Sequence, residues 1–172
     1  MSFLESFQNK GYGKNRILYK VYRFMYMAFV DRPYKFKYSQ LYFSDRDYLL
    51  IKQLRNNSFE NKNLEVMENN IKKDFVCIDI GSHIGYYTLI MSKLGKEVYS
   101  FEPAKENFRL LEKNIKINDL KNVEIFNYAL GNVNGSLNLY KNKEDSGDYR
   151  CYKANGLKEN ERVNVKRFDD LN

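Results

Sequence analysis

The sequence predicts an α/β fold, a doubly wound parallel sheet, and three observations support that expectation. The run Phe75-Val76-Cys77-Ile78-Asp79-Ile80 has the pattern of a strand buried on both faces in a parallel sheet. The period then changes, and Ile84, Tyr87, Ile90, Met91 and Leu94 form a helical stripe. The alternation then repeats: a strand at 97–102, a helix whose apolar face is Phe108, Leu111 and Ile115, and a third strand at 123–128. Strand, helix, strand, helix, strand in that order is the layout of a parallel sheet joined by right-handed crossovers.

The remaining elements follow from the same periodicities. Residues 15–30 read as a helix with Arg16, Lys20 and Arg23 on one face and Ile17, Leu18, Val21, Phe24, Met25 and Ala28 on the other. Asp31-Arg32-Pro33 ends it. Residues 35–43 alternate weakly, as a strand would, and 45–54 look helical. Leu64, Met67 and Ile71 mark a further helix. Gly95 stops the helix that follows the first long strand, and Pro103 suits the first turn of the next one. Beyond Gly131 the pattern loosens into strands at 136–140 and 163–168, with a polar loop between them.

Composition narrows the classes available. A chain of 172 residues with 43% hydrophobic and 30% charged residues suits one globular domain rather than a disordered segment. Cys77 and Cys151 offer no disulfide framework, so a reducing, cytoplasmic setting is expected. A single histidine and two separated cysteines argue against a protein-built metal site. The net charge of +7 is uneven: residues 1–38 hold eight Lys/Arg against Glu5 and Asp31, leaving 21 basic and 20 acidic residues in the balanced remainder. No run approaches the ~18 apolar residues of a membrane span. The basic helix has three readings: peripheral contact with an anionic membrane surface, nucleic-acid binding, or simple packing on the domain. Base methylation is disfavoured because its signature needs adjacent prolines, and Pro33 and Pro103 stand far apart.

The segment that points to chemistry is Asp79-Ile80-Gly81-Ser82-His83-Ile84-Gly85, at the C-terminal end of a strand and the start of a helix. Open α/β sheets bind ligands at that edge. Glycine there lets the chain turn sharply and lets a ligand approach the backbone. Glu102 ends the adjacent strand, where a carboxylate can accept ribose hydroxyls. A dinucleotide site would need glycine at the positions of His83 and Tyr86, and both are bulky. A nucleoside cofactor without phosphates, S-adenosylmethionine, fits better. The expected cofactor site is therefore Asp79, Gly81, Ser82, Gly85 and Glu102, with Ala129 at the end of the third strand against the adenine. No catalytic residue is assigned. His83 has two readings, a general base or, as expected here, a residue pointing outward at the helix start. The loop Asp145-Ser146-Gly147-Asp148 could face the acceptor but is expected to be a solvated turn.

At these residues the chain resembles the FkbM family of class I methyltransferases. The matching stretches are VCIDIGSHIGYYTL from Val76, YSFEP from Tyr99, NFRLLEKNIKIN from Asn107 and NVEIFNYAL from Asn122, with Phe59-Glu60 upstream and VKRFDDL from Val165. Ser82-His83 stands where the family usually shows Ala-Asn. The resemblance covers residues 45–172 and implies a Rossmann-like sheet of seven strands ordered 3-2-1-4-5-7-6, of which this chain supplies the N-terminal half. It also implies methyl transfer from S-adenosylmethionine to a hydroxyl of a glycan, lipid or other small-molecule acceptor. On this reading residues 1–44 form a basic helical extension and residues 45–172 a partial, truncated domain. A non-catalytic, cofactor-binding remnant is the alternative. The strand at 75–80 would keep an open edge, through which the chain would associate with itself.

Overall fold

The computed structural model describes residues 32–56, 59–142, 145–153 and 159–171. The chain divides into two compact units, Met1–Arg32 and Pro33–Asn172, and every element below lies in the second. The helix expected at 15–30 lies outside the described residues. None of the described helices is long and apolar enough to cross a membrane.

The second unit begins with a small hairpin, β1 (Tyr34–Lys35) paired antiparallel with β2 (Gln40–Leu41). The sequence predicts one strand here. The chain turns instead, closed by backbone bonds exchanged between Phe36 and Ser39. A 3-10 turn (Asp45–Asp47) leads into helix α1 (Tyr48–Arg55), and α2 (Asn61–Asn70) follows. Leu41, Phe43, Ile51 and Leu54 are buried, and Phe36 and Phe59 both pack on the ring of Tyr86. Residues 33–44 fall in the second compact unit, whereas the sequence reading groups residues 1–44 as one extension.

The central sheet is β3 (Val76–Ile80), β4 (Glu97–Phe101) and β5 (Val123–Phe126), all parallel, in the order β3-β4-β5. Helix α3 (Tyr86–Leu94) joins the first two strands, and α4 (Lys105–Ile117) joins the second to the third. Period-2 alternation puts Cys77, Asp79, Val98 and Ser100 on one face. Thr88 of α3 bonds both Asp79 and Ser100, so α3 lies over that face. Leu111 of α4 packs against the start of α3 at Gly85.

The opposite face corrects one expectation. β3 is a parallel strand, but it is not buried on both sides: Val76, Ile78 and Ile80 are 53%, 41% and 66% exposed. Among the described residues no helix is laid across them. On the β4 side of that face Phe101 is buried within an aromatic group of Phe126, Tyr128 and Phe168, while its β3 neighbour Ile80 stays exposed. Two smaller corrections concern element ends. α4 begins at Lys105 with Ala104 as its N-cap, so Pro103 precedes the helix rather than filling its first turn. The third strand breaks after Phe126, because the Asn127 side chain turns back to donate to the carbonyls of Glu102 and Pro103.

After that break the chain enters a second sheet. β6 (Ala129–Gly131) runs parallel to β8 (Glu159–Arg167), and β7 (Gly135–Lys141) pairs antiparallel on its other side. Leu139 and Val163 of this sheet are buried with Ala104 at the head of α4.

The face α4 turns inward is unusual for an amphipathic helix. Its buried residues are Asn107, Leu111 and Asn114, and not the Phe108-Leu111-Ile115 stripe expected from hydrophobic spacing. Asn114 and Asn118, one turn apart, bond the chain at Gln40 and Tyr42 as a neighbouring strand would. Each carboxamide accepts from a backbone N–H and donates to the carbonyl of the same residue, at 2.6–3.1 Å. Asn114 also donates to the Ile84 carbonyl at 2.8 Å. These bonds satisfy buried backbone groups that no sheet partner reaches.

Candidate functional site

The loop from Gly81 to Gly85 is fixed from two sides. The amides of Gly81 and Ser82 both donate to the Phe101 carbonyl at the end of β4, at 2.9 and 3.1 Å. Gly81 and Gly85 adopt φ of +79° and +95°, the left-handed region that favours glycine. Their surroundings differ. A Cβ on Gly85 would lie 2.6 Å from Leu111 Cδ1, so this glycine serves close packing of the loop on α4. A Cβ on Gly81 would meet nothing within 4 Å among the described residues, so backbone here faces open space that a ligand can enter.

Two carboxylates flank that space. Asp79 is 7% exposed and accepts from Thr88 Oγ1 at 2.6 Å, while Thr88 and Ser100 hydroxyls lie 2.9 Å apart. Burial pushes the Asp79 carboxyl above its ordinary value, against the opposing pull of the Thr88 donors. Glu102 is 5% exposed and accepts two backbone amides, His83 N–H on Oε2 at 2.8 Å and Ala104 N–H on Oε1 at 2.9 Å. Burial raises its pKa as well, opposed by the amides of Ala104 and His83. Each Glu102 oxygen keeps further acceptor capacity, since an ionised carboxylate offers about four lone-pair sites.

Sequence reasoning misplaces His83. Its ring does not point outward: Nε2 lies 2.6 Å from Ser146 Oγ and 3.1 Å from Asp47 Oδ1. Ser146 Oγ in turn donates to Asp47 Oδ1, and Asp47 Oδ2 accepts the amide and hydroxyl of Ser44. Asp47 is almost fully buried. Burial works to raise its pKa, but bonding and charge from His83, with the donors Ser146 and Ser44, pull it below the usual carboxylate range. The three side chains are not a nucleophilic triad. In such a triad the acid holds the ring nitrogen opposite the nucleophile, whereas Asp47 and Ser146 meet the same nitrogen. The 145–148 loop is likewise no solvated turn, since Ser146 is buried and its carbonyl accepts from Asn107.

The structure thus brings Asp79, Gly81, Ser82, Gly85 and Glu102 to the ends of two adjacent parallel strands. Ala129, two residues after Asn127, stands apart from them: it opens β6 and pairs with Val165, while the Asn127 side-chain amide donates to the Glu102 backbone carbonyl. The residues fit a nucleoside ligand on two observations. Gly81 presents unobstructed backbone beside Glu102, and the buried Ser82 hydroxyl has no hydrogen-bond partner among the described residues. Ribose hydroxyls suit Glu102, and a cationic group suits Asp79.

Comparison with known proteins now bears on the reading. The model of the methyltransferase FkbM domain matches residues 79–170, the stretch that contains this loop and both carboxylates. The chain belongs to the FkbM methyltransferase domain family. No curated protein matches it. Solved structures similar to this FkbM chain include SMU.1697c from Streptococcus mutans in complex with SAH, at 20% identity, TM-score 0.39, and coverage of 40% of this chain and 39% of that one. An rRNA methylase from Streptococcus thermophilus matches at 14% identity and TM-score 0.39, covering 40% and 38%. Trm5b from Pyrococcus abyssi matches at 17% identity and TM-score 0.38, covering 60% and 33%. The matched part thus spans well under two thirds of each of these three proteins.

Proposed function

We propose that the FkbM domain of this chain binds S-adenosylmethionine at the Gly81–Gly85 loop and serves methyl transfer to a hydroxyl of a glycan, lipid or other small molecule. The observation that supports it most is the open backbone of Gly81 beside the buried carboxylate of Glu102, on adjacent parallel strand ends. In this reading Glu102 receives the ribose hydroxyls, and Asp79 places negative charge toward the ammonium and sulfonium end. The unpartnered Ser82 hydroxyl gains a partner when the cofactor enters. The cofactor supplies an electrophilic methyl group. The protein's own part is to hold it in line with an acceptor oxygen and to keep water from that position.

Titration calorimetry with S-adenosylhomocysteine tests the site. The wild-type chain is expected to bind, and Glu102→Ala to lose roughly 1.5–3 kcal/mol, the worth of hydrogen bonds to a charged acceptor. Gly81→Val is expected to abolish binding, since it fills the approach and forces a branched residue into a left-handed backbone. Equal affinity in wild type and Glu102→Ala would refute the ribose assignment.

A further inference from the structure

The latch around His83 is not explained by cofactor contact, and its geometry suggests what it does. His83 is a non-glycine residue at φ +53°. Left-handed backbone is unfavourable for most L-residues, and Asn, Asp and His are the non-glycine residues found there most often. Contacts that hold its ring favour that pose further. Its neighbours Gly81 and Gly85 take their positive φ at no steric cost and have no side chain to be held, so in this loop a side-chain hold acts at His83. The ring is gripped at Nε2 by Ser146 and Asp47, and both are anchored elsewhere: Asp47 by the Ser44 amide and hydroxyl, Ser146 by Asn107 of α4. In this pose the His83 amide meets Glu102 Oε2 at 2.8 Å.

We propose that His83 is a positioning residue for the nucleoside site. Asp47 and Ser146 hold its ring, the held backbone aims its amide at Glu102, and Glu102 is thereby fixed in the pose that receives the ribose hydroxyls. The inference rests on the proposed function and adds to it two residues, Asp47 and Ser146, that touch no ligand. Asparagine tolerates the left-handed conformation as His does but carries no imidazole, so with Asn at position 83 Asp47 and Ser146 have no ring nitrogen to hold.

The test is a double-mutant cycle read by calorimetry with S-adenosylhomocysteine on the full chain. Ser146→Ala is expected to weaken binding roughly tenfold, within the range for residues coupled in one hydrogen-bond network. Asp47→Asn should act in the same direction. Measured against a His83→Asn background, Ser146→Ala should then cost nothing. That recovery is the signature of action through His83, because a merely structural role for Ser146 would persist in both backgrounds. Two results overturn the proposal: unchanged affinity in Ser146→Ala, or a loss of the same size in both backgrounds. Should Asp47→Asn fail to fold, the Ser146 cycle decides alone. If the wild-type chain binds no S-adenosylhomocysteine, the functional reading itself falls and this inference with it. If it binds but the cycle is additive, only the latch is wrong.

Discussion

Asp79 shows at the scale of one residue how function and stability pull apart. Its carboxylate is buried against Thr88, and burial raises its pKa above the unfolded value of about 3.9. A raised carboxyl stabilises the fold only below its ordinary pKa, and that contribution is lost as pH rises through the folded value. At pH 8 the ionised side chain therefore costs stability. Asp79→Asn keeps an acceptor for Thr88 and removes the charge, so it should stabilise the ligand-free protein at pH 8 by roughly 0.5–2 kcal/mol. The gain should shrink toward pH 4, and cofactor affinity should fall. Urea unfolding of both proteins at the two pH values checks this; an Asn variant less stable than wild type at pH 8 would contradict it. Asp79, Gly81 and Glu102 were legible in the sequence because strand ends and glycines announce themselves locally. Asp47 and Ser146 were not, since their partner His83 lies far away along the chain and only the fold unites them.

Among the elements, the alternation of strand and helix from β3 to β5 was legible because period 2 and period 3.6 are hard to confuse over these lengths. What escaped was the inner face of α4. Hydrophobic spacing selects Phe108, Leu111 and Ile115, but Asn107 and Asn114 are the residues buried beside Leu111. Their amides serve buried backbone groups, a role that no apolar pattern records. The break at Asn127 was hidden for the same reason, being made by a side chain bonding the end of β4. Asn114 is predicted to be the most costly polar residue of this helix to replace. Asn114→Leu would fit the space but strand the amide and carbonyl of Tyr42 and the carbonyl of Ile84. A loss of roughly 2–4 kcal/mol in chemical denaturation is expected, from groups worth about 1–3 kcal/mol each when left unpaired. A loss below about 1 kcal/mol would mean that water or a shift of the chain replaces these bonds.

For the molecule as a whole, self-association is expected at the exposed face and free edge of β3. β3 pairs only with β4 among the described residues, and Val76, Ile78 and Ile80 stand exposed beside its free edge. An apolar strand with an unpaired edge is a template for another strand, and a second copy of this chain is the expected partner. Sedimentation velocity should show concentration-dependent self-association in the wild type. Ile78→Lys, which sets a charge in the middle of that strand, should reduce it; a monomeric wild type at all concentrations would remove this expectation. The central claim concerns the other end of β3 and β4, and an NMR titration with S-adenosylhomocysteine tests it most directly. The account predicts that the amides of Gly81, Ser82, His83 and Glu102 shift earliest and furthest, in proportion to occupancy. Saturable shifts confined to residues away from this loop and from the end of β4 would contradict it.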